Sequence, residues 1–144
     1  MARYSTLAQL QNVLEQGCEK VRKPKSAVLF QRGDKNFGMF LVLRGRGSLD
    51  VGVDSPLTHF YGSGALIGLP ATVTGRNYAM TATVVEDAEL GFWSRDKFHV
   101  LLLERPDLCQ QLLEIMAERV SENTDMLKAM LKRDKQPEQR SVVV

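Results

Sequence analysis

The spacing of apolar residues predicts a short amphipathic helix at the N-terminus. Ser5 or Thr6 can cap it, because the side-chain oxygens of Ser and Thr accept hydrogen bonds from the first helical amides. Gly17 suits its end. The apolar positions that would share one face are Leu7, Leu10, Val13 and Leu14. We therefore predict one short helix packed on the rest of the domain.

From Cys18 to Trp93 the apolar residues come in short, β-rich runs instead of helical stripes. Six runs are typical of strands: Val28–Phe30, Met39–Leu43, Ser48–Val53, Thr58–Tyr61, Met80–Val85 and Glu89–Trp93. Turn-forming residues separate them, among them Gly33-Asp34 and Gly45-Arg46-Gly47. Strands at this spacing predict an antiparallel roll or barrel.

Two helices are expected after the strands. Ser94 stands at a cap position ahead of the helix Arg95–Glu104, and Pro106 suits the first turn of a second helix that runs to about residue 132. A seam of residues in steps of four and three follows one side of this helix: Leu113, Ala117, Val120, Thr124, Leu127 and Leu131. A second apolar stripe lies beside it: Leu112, Ile115, Met116, Met126 and Met130. The helix either pairs with a second copy along this seam or lies on its own domain.

Size and composition indicate one soluble globular domain. With 144 residues, 44% apolar and 25% charged, the chain can bury one core, and its net charge of +2 gives no reason to invoke nucleic acid or a membrane. Cys18 and Cys109 supply no disulfide framework. No signal peptide or membrane span is evident, so we expect a cytoplasmic protein. Residues 1–132 form the predicted domain and residues 133–144 a polar tail.

Catalytic and metal chemistry have little support in the sequence. His59 and His99 are far apart, with no His, Cys or Asp cluster at ligand spacing around either. No Ser, Cys or carboxylate stands in a recognisable catalytic arrangement. We expect no metal site, no catalytic residues and no enzyme activity.

Four runs of residues, taken in order, carry a family resemblance. They are Val28-Leu29-Phe30-Gln31-Arg32-Gly33-Asp34, Met39-Phe40-Leu41-Val42-Leu43-Arg44-Gly45, Thr81-Ala82-Thr83-Val84 and Phe92-Trp93-Ser94-Arg95-Asp96-Lys97-Phe98. Their order and spacing resemble the cyclic-nucleotide-binding sensor domain of the Crp/Fnr regulators, over roughly residues 18–131. The resemblance implies a mainly β fold with α (α+β). Its centre is an antiparallel double-stranded β-helix, a jelly-roll-like β-roll, flanked by an N-terminal helix and a long C-terminal dimerisation helix.

The resemblance also implies a ligand site, but this chain lacks its charged anchors. In the family, a short loop and helix presents amides to the phosphate, a Glu binds the ribose hydroxyl and an Arg binds the phosphate. Here the Glu position falls on Leu69, the Arg position falls on Met80, and Pro70 removes one backbone donor. Losing two charge-assisted hydrogen bonds would weaken binding by roughly 10²–10⁴-fold unless other groups replace them. The candidate ligand residues are Gly68, Leu69, Pro70, Arg76, Tyr78, Met80, Thr81, Asn123 and Thr124.

Several of these candidates have two open interpretations. Arg76 follows a glycine and can grip a phosphate or carboxylate, or it is an exposed loop arginine. Tyr78 stacks on a ligand or covers the roll. Asn123 and Thr124 fall where related cyclic-AMP receptors place polar residues that reach the adenine, but a helical Thr hydroxyl also bonds its own helix carbonyl.

Two functions follow from these observations. The first is a homodimeric sensor that binds a small anionic or nucleotide-like effector, such as cyclic AMP or cyclic GMP, and signals through its dimer helix. The alternative is a dimeric interaction scaffold that binds no ligand. Crp/Fnr relatives usually carry a helix-turn-helix after the long helix, and the chain stops where it would begin, so we expect no direct DNA binding. No cofactor is certain.

Overall fold

The computed structural model describes residues 2–51 and 58–117. Its helices and strands are α1 (Ala2–Gly17), β1 (Glu19–Lys23), β2 (Val28–Phe30), β3 (Gly38–Asp50), β4 (Thr58–Tyr61), β5 (Leu66–Ile67), α2 (Leu69–Thr74), β6 (Thr81–Ser94) and α3 (Arg95–Glu104). Residues 106–117 are also helical and are called α4. An antiparallel sheet between an N-terminal helix and C-terminal helices confirms the predicted α+β class.

The sheet is organised around the two long strands β3 and β6, which pair along most of their length. Their outer partners change along the way. β6 pairs with β2 near its start and with β1 further along, while β3 pairs with β5 near its start and with β4 near its end. A long strand that exchanges partners in this way belongs to both layers of a rolled sheet.

The predicted turn at Gly45-Arg46-Gly47 is wrong, because β3 continues through it. The pairing of β3 with β6 shifts register between Val42 and Gly47, and Gly45 has a φ of 100°. Extra residues in one strand bend it and raise its twist. These residues therefore form the corner where β3 crosses from one layer to the other. The run Met39–Leu43 joins the start of the run Ser48–Val53, as far as Asp50, in one strand.

Most of the predicted helix boundaries agree with the structure, and one differs. α1 ends at Gly17 as expected, but it begins at Ala2, ahead of the proposed cap, since Ala and Arg are strong helix formers. α3 spans Arg95–Glu104, and the Ser94 hydroxyl accepts a hydrogen bond from the Lys97 amide over 3.2 Å. The next helix begins at residue 106, as predicted.

Two apolar clusters fill the molecule. The first lies inside the roll: Leu29, Phe30, Phe40, Val42, Leu49, Tyr61, Ala65, Ile67, Tyr78, Ala82, Val84, Ala88 and Leu90. The second joins the helices to the outer side of the sheet: Leu10, Leu14, Met39, Leu41, Leu66, Leu69, Trp93, Phe98, Leu108, Leu112 and Ile115. In the first part of β3, Phe40 and Val42 face the first cluster and Met39 and Leu41 face the second, because successive strand side chains point to opposite faces.

The two stripes predicted on the last helix differ in burial as far as the structure describes them. Leu112 and Ile115 are 5% and 8% exposed and pack on the domain, whereas Leu113 of the seam is 72% exposed. Ala117 is exposed too. Met116 of the second stripe is partly buried against the same cluster. The other members lie outside the described residues: Val120, Thr124, Leu127 and Leu131 of the seam, and Met126 and Met130 of the second stripe. The predicted domain boundary at residue 132 lies outside them as well.

Candidate functional site

The six-residue helix α2 is bounded by two glycines in the left-handed backbone region. Gly68 precedes it with a φ of 86°, and Gly75 follows it with a φ of 74°. Positive φ is strained for residues with a Cβ, so glycine favours both sharp turns. A Cβ on Gly68 would also lie 3.3 Å from the Tyr78 ring. The turns set α2 and the following loop between β5 and β6, where the candidate residues gather.

The first residues of α2 offer a ligand little polar chemistry. Leu69 is fully buried in the cluster between the helices and the sheet. A carboxylate at this position would be placed in an apolar environment that disfavours its charge. Pro70 is the second residue of the helix and has no N–H to donate.

Tyr78 fills the space beside Gly68 from within the roll. Its ring is 2% exposed and stacks on Phe30, with 3.8 Å between ring centroids and 9° between planes. Its hydroxyl donates to the Gly38 carbonyl over 2.6 Å and accepts from the amides of Phe37 and Gly38. Burial raises the pKa of Tyr78, against the opposing effect of the two amides. In this conformation Tyr78 occupies the roll with its own ring.

Met80 and Thr81 follow Tyr78 at the start of β6. Met80 is partly buried against the cluster inside the roll, so the position that the resemblance gives to a phosphate-binding Arg is filled by an apolar side chain. Thr81 accepts a hydrogen bond from the Arg32 amide over 3.0 Å. Both residues therefore make packing or backbone contacts.

Two arginines lie at the far end of α2. Arg76 is exposed, and its guanidinium forms no hydrogen bond or ion pair with the described residues. The guanidinium of Arg95 lies where a Cβ on Gly75 would be. The buried Nε of Arg95 has no hydrogen-bond partner within the described chain. The sequence suggested Arg76 but not Arg95, because only the folded chain brings the start of α3 to Gly75.

A small polar cluster that the sequence did not reveal ties α2 to its neighbours. The fully buried Thr72 donates from its hydroxyl to the Gly68 carbonyl over 2.8 Å, and the same hydroxyl accepts from Asn36 Nδ2 over 3.3 Å. His99 Nε2 lies 3.3 Å from the Thr72 carbonyl oxygen. Asn36 precedes β3 and His99 belongs to α3. The polar pattern along the sequence could have indicated Thr72 alone, as a helical Thr four residues after Gly68.

The structure leaves the other sequence-based candidates untested. Asn123 and Thr124 lie outside the described residues. Within residues 2–51 and 58–117, no group of three or more His, Cys, Asp or Glu side chains is arranged to hold a metal ion. The described helices include none long and apolar enough to cross a membrane.

Two clefts are lined by residues outside α2. One, of about 340 Å³, is bounded by α1, β1 and β3, and the other, of about 570 Å³, by β1, β3 and β6. They share Arg44 and Glu89 and contain none of the candidate ligand residues.

Curated relatives match most of this chain, but the chain spans only a small part of them. It is 28% identical over 111 residues to lysophospholipase nte1 of Aspergillus oryzae, which covers 75% of this chain and 7% of the relative. It is 29% identical over 105 residues to the protein of the same name from Aspergillus terreus, covering 71% of this chain and 7% of the relative.

Solved structures share the fold at low sequence identity. The catabolite activator protein of Thermus thermophilus has a TM-score of 0.73 at 21% identity, covering 90% of this chain and 63% of its own. A protein reported with a cyclic-GMP-dependent signalling pathway in bacterial phytopathogenesis has a TM-score of 0.72 at 23% identity, covering 80% and 94%. The N-terminal domain of a Streptomyces coelicolor transcriptional regulator has a TM-score of 0.63 at 20% identity, covering 84% and 83%.

A family model covers the part of the chain that carries the roll. It describes the cyclic nucleotide-binding domain and matches residues 20–105, from β1 through the end of α3. The match spans more than half of the 144 residues. This chain therefore belongs to the cyclic nucleotide-binding domain family.

Proposed function

We propose that this protein is a ligand-sensing regulatory module that binds a small anionic or nucleotide-like effector beside α2 and signals through its C-terminal helix as a homodimer. The observation that carries the proposal is Arg76. Its exposed guanidinium, unpaired within the described residues, directly follows the glycine turn that ends α2. A guanidinium can bind a phosphate or carboxylate through two parallel hydrogen bonds.

Arg95 supports an anion site at the same place. It brings a second positive charge against Gly75, and its buried Nε has an unused donor. A buried donor without a partner has a free-energy cost of about 1–3 kcal/mol, which an anion bound there would recover. The two arginines thus offer a different anchor from the Glu and Arg that the resemblance implies.

Known structures with this fold support nucleotide-like effectors. A relative named EAL enzyme Bd1971 was solved in a cAMP-bound form, and it matches this chain with a TM-score of 0.59 at 18% identity. The low identity supports the class of ligand only through the shared fold. Cyclic AMP and cyclic GMP are therefore the first effectors to test.

Contacts of α2 supply a route from the ligand to the last helix. His99 Nε2 lies 3.3 Å from the Thr72 carbonyl oxygen of α2, and α3 is separated from α4 by Arg105 alone. A shift of α2 on ligand binding would act on α3 and then on the helix that carries the predicted dimer seam. Such a switch requires the ligand to bind the two helix arrangements with different affinity.

We further propose that the module has no catalytic activity of its own. The hydroxyl groups of Thr72 and Tyr78 are both buried and both bonded to backbone carbonyls. This bonding suits a structural role better than nucleophilic or general-base chemistry.

Calorimetric titration with cyclic AMP and with cyclic GMP tests the proposal directly. We expect one nucleotide to bind and the variant Arg76→Ala to weaken that binding by about tenfold or more, because it loses a charge-assisted contact. Lys25→Ala is the matched control, since Lys25 is an exposed cation between β1 and β2 whose amide donates to Asp87 of β6, outside α2 and its flanking glycines. The control variant should bind as the parent does.

An unchanged affinity in Arg76→Ala would contradict the proposed site. No heat with either nucleotide at ~1 mM would favour the scaffold alternative. One observation supports that alternative: Tyr78 and Met80 already fill the roll beside Gly68. Under it, Arg76→Ala would change neither small-molecule binding nor dimer formation.

A further inference from the structure

The strand β1 forms one edge of the sheet and carries exposed cations. It is the first strand in the order β1-β6-β3-β4, and among the described strands it pairs only with β6. Lys20 and Arg22 are exposed on one face, while Val21 between them packs against the cluster inside the roll. The backbone groups along the outer edge of β1 are thus available to another strand.

The positive charge next to this edge is only partly neutralised. Glu89 of β6 stands between two guanidinium groups, with its carboxylate 3.8 Å from Arg22 and 3.9 Å from Arg44. The Glu89 carboxylate therefore forms ion pairs with both arginines. Lys20 forms no ion pair with the described residues. The two clefts beside this edge are lined by four cations and three carboxylates, which leaves one excess positive charge: Lys20, Arg22, Lys23 and Arg44 against Glu15, Asp87 and Glu89.

Arg22 is free to change partners at little cost. Its side chain is 87% exposed, and its distance to Glu89 exceeds that of a normal N–H···O hydrogen bond. Ion pairs between such exposed groups contribute only about 0–1 kcal/mol. A ligand carboxylate could thus compete with Glu89 for the guanidinium.

Open space lies beside these cations. Lys20 borders the cleft of about 340 Å³, and Arg22 borders the adjoining cleft of about 570 Å³. Arg44 and Glu89 line both clefts, so the two clefts adjoin. No residue of a described helix lines the larger one.

We propose that β1 is a docking edge for an extended acidic peptide segment of a partner protein. The segment would add to the sheet as a strand, through backbone hydrogen bonds to β1. Its acidic side chains, at every second position, would match Lys20 and Arg22, because alternate residues of a strand lie on one face about 6.6 Å apart. The edge strand and the spacing favour a peptide over a lipid surface, which needs neither.

A labelled peptide of alternating Glu and Val is the probe, with binding to the full chain followed by fluorescence anisotropy. We expect saturable binding that weakens as salt is added, because the contacts are exposed charge pairs. A peptide of alternating Lys and Val tests whether binding requires negative charge on the peptide. A Glu–Val peptide with a central Pro tests strand pairing, since Pro cannot donate a backbone hydrogen bond. Neither comparison peptide should bind.

The double variant Lys20→Gln/Arg22→Gln should weaken binding of the acidic peptide by about tenfold or more. Lys35→Gln/Lys97→Gln removes two exposed cations elsewhere and should leave the affinity unchanged. Circular dichroism of both variants checks that the fold is retained. Calorimetry with cyclic nucleotide should not distinguish the Lys20→Gln/Arg22→Gln variant from the parent protein, so failure of the docking edge can be told apart from failure of the effector site.

Several results would overturn the proposal. They are an absence of peptide binding, equal affinity in the Lys20→Gln/Arg22→Gln variant, and equal binding of the peptide with the central Pro. Binding to phosphatidylserine vesicles without binding to the peptide would assign the cations to a membrane surface instead. Aggregation of the double variant without any loss of peptide affinity would show that these cations only protect the edge from self-association.

Discussion

Tyr78 illustrates how one side chain can decide the character of a site. Its ring lies on Phe30 and its hydroxyl bonds the backbone at Gly38, so the space beside Gly68 is filled by aromatic packing and satisfied polar groups. An effector at this end of the molecule must therefore bind toward Arg76, or displace the ring at the cost of these contacts. The site we propose uses the first route.

Tyr61 gives a prediction for alkaline pH. Burial raises its pKa from 10.0 to about 12, so the folded chain keeps a proton that the unfolded chain loses. Between these values the folded state binds more protons, and the free energy of unfolding must fall as pH rises, by at most about 1.4 kcal/mol per pH unit for one group. The contribution is complete below pH 10. Urea denaturation at several pH values up to about 12 measures the decrease.

Tyr61→Phe is the comparison for this experiment. It removes the titrating hydroxyl and its hydrogen bond to the Thr83 carbonyl, while the ring stays. The stability advantage of the parent over the variant should therefore shrink above pH 10 and be constant below it. An advantage that stays constant across the whole range would show that the hydroxyl ionises equally in the folded and unfolded chains.

The sequence predicted the roles of residues whose partners are close to them along the chain. Ser94 was identified as a cap because the cap and its partner amide, at Lys97, are three residues apart. Leu69 and Met80 could be recognised as apolar replacements of expected anchors, but Arg95 and His99 could not be connected to α2. Their contacts with Gly75 and Thr72 depend on how α3 packs, which no short stretch of sequence records.

Among the secondary structure elements, prediction succeeded where amphipathic periodicity and caps were strong. The strands β2 and β4 have the predicted bounds, as does α3. β1 was missed because four of its five residues are charged, and it is a strand through its pairing with β6. The turn predicted at Gly45 was wrong because glycine marks a bulge in a long strand as readily as a hairpin.

Trp93 holds α1 on the sheet, which predicts a local effect of its removal. Its indole Nε1 donates to the Leu14 carbonyl over 2.9 Å, near the end of α1 where carbonyls lack partners within the helix. Its ring also packs edge-on against Phe98 of α3. Trp93→Phe should lower the free energy of unfolding by about 2–4 kcal/mol, from the lost hydrogen bond and the smaller ring. The hydrogen-exchange rates of amides in α1 should increase more than those of amides in β3.

Phe60→Leu is the control for this prediction. Phe60 is an aromatic residue of β4 that is 37% exposed, so its replacement also shortens an aromatic side chain but at the surface. Its ring lies 5.8 Å from the guanidinium carbon of Arg46, so the change should lower stability by about 1 kcal/mol or less and leave exchange in α1 unaltered. Uniform faster exchange throughout the Trp93→Phe protein would contradict a local role for the indole.

At the scale of the whole molecule, the two apolar clusters stabilise different parts of the fold. The inner cluster fixes the roll, and the outer one fastens α1, α3 and α4 to it. The sequence predicted this division in part, because the two stripes of the last helix already implied two environments. The domain itself buries one stripe, at Leu112 and Ile115, whereas Leu113 of the other stripe stays exposed.

The exposed seam predicts how the oligomeric state responds to a single charge. Leu113 is 72% exposed on α4, and in the proposed dimer it packs against the partner's helix, so Leu113→Glu should bury two like charges and shift the protein towards monomer. Leu103→Glu is a matched control, because Leu103 is 82% exposed on α3 and outside the seam. Sedimentation equilibrium of the parent and both variants measures the effect. A parent that is monomeric, or a Leu103→Glu variant that dissociates as readily as Leu113→Glu, would show that α4 does not form the dimer through this seam.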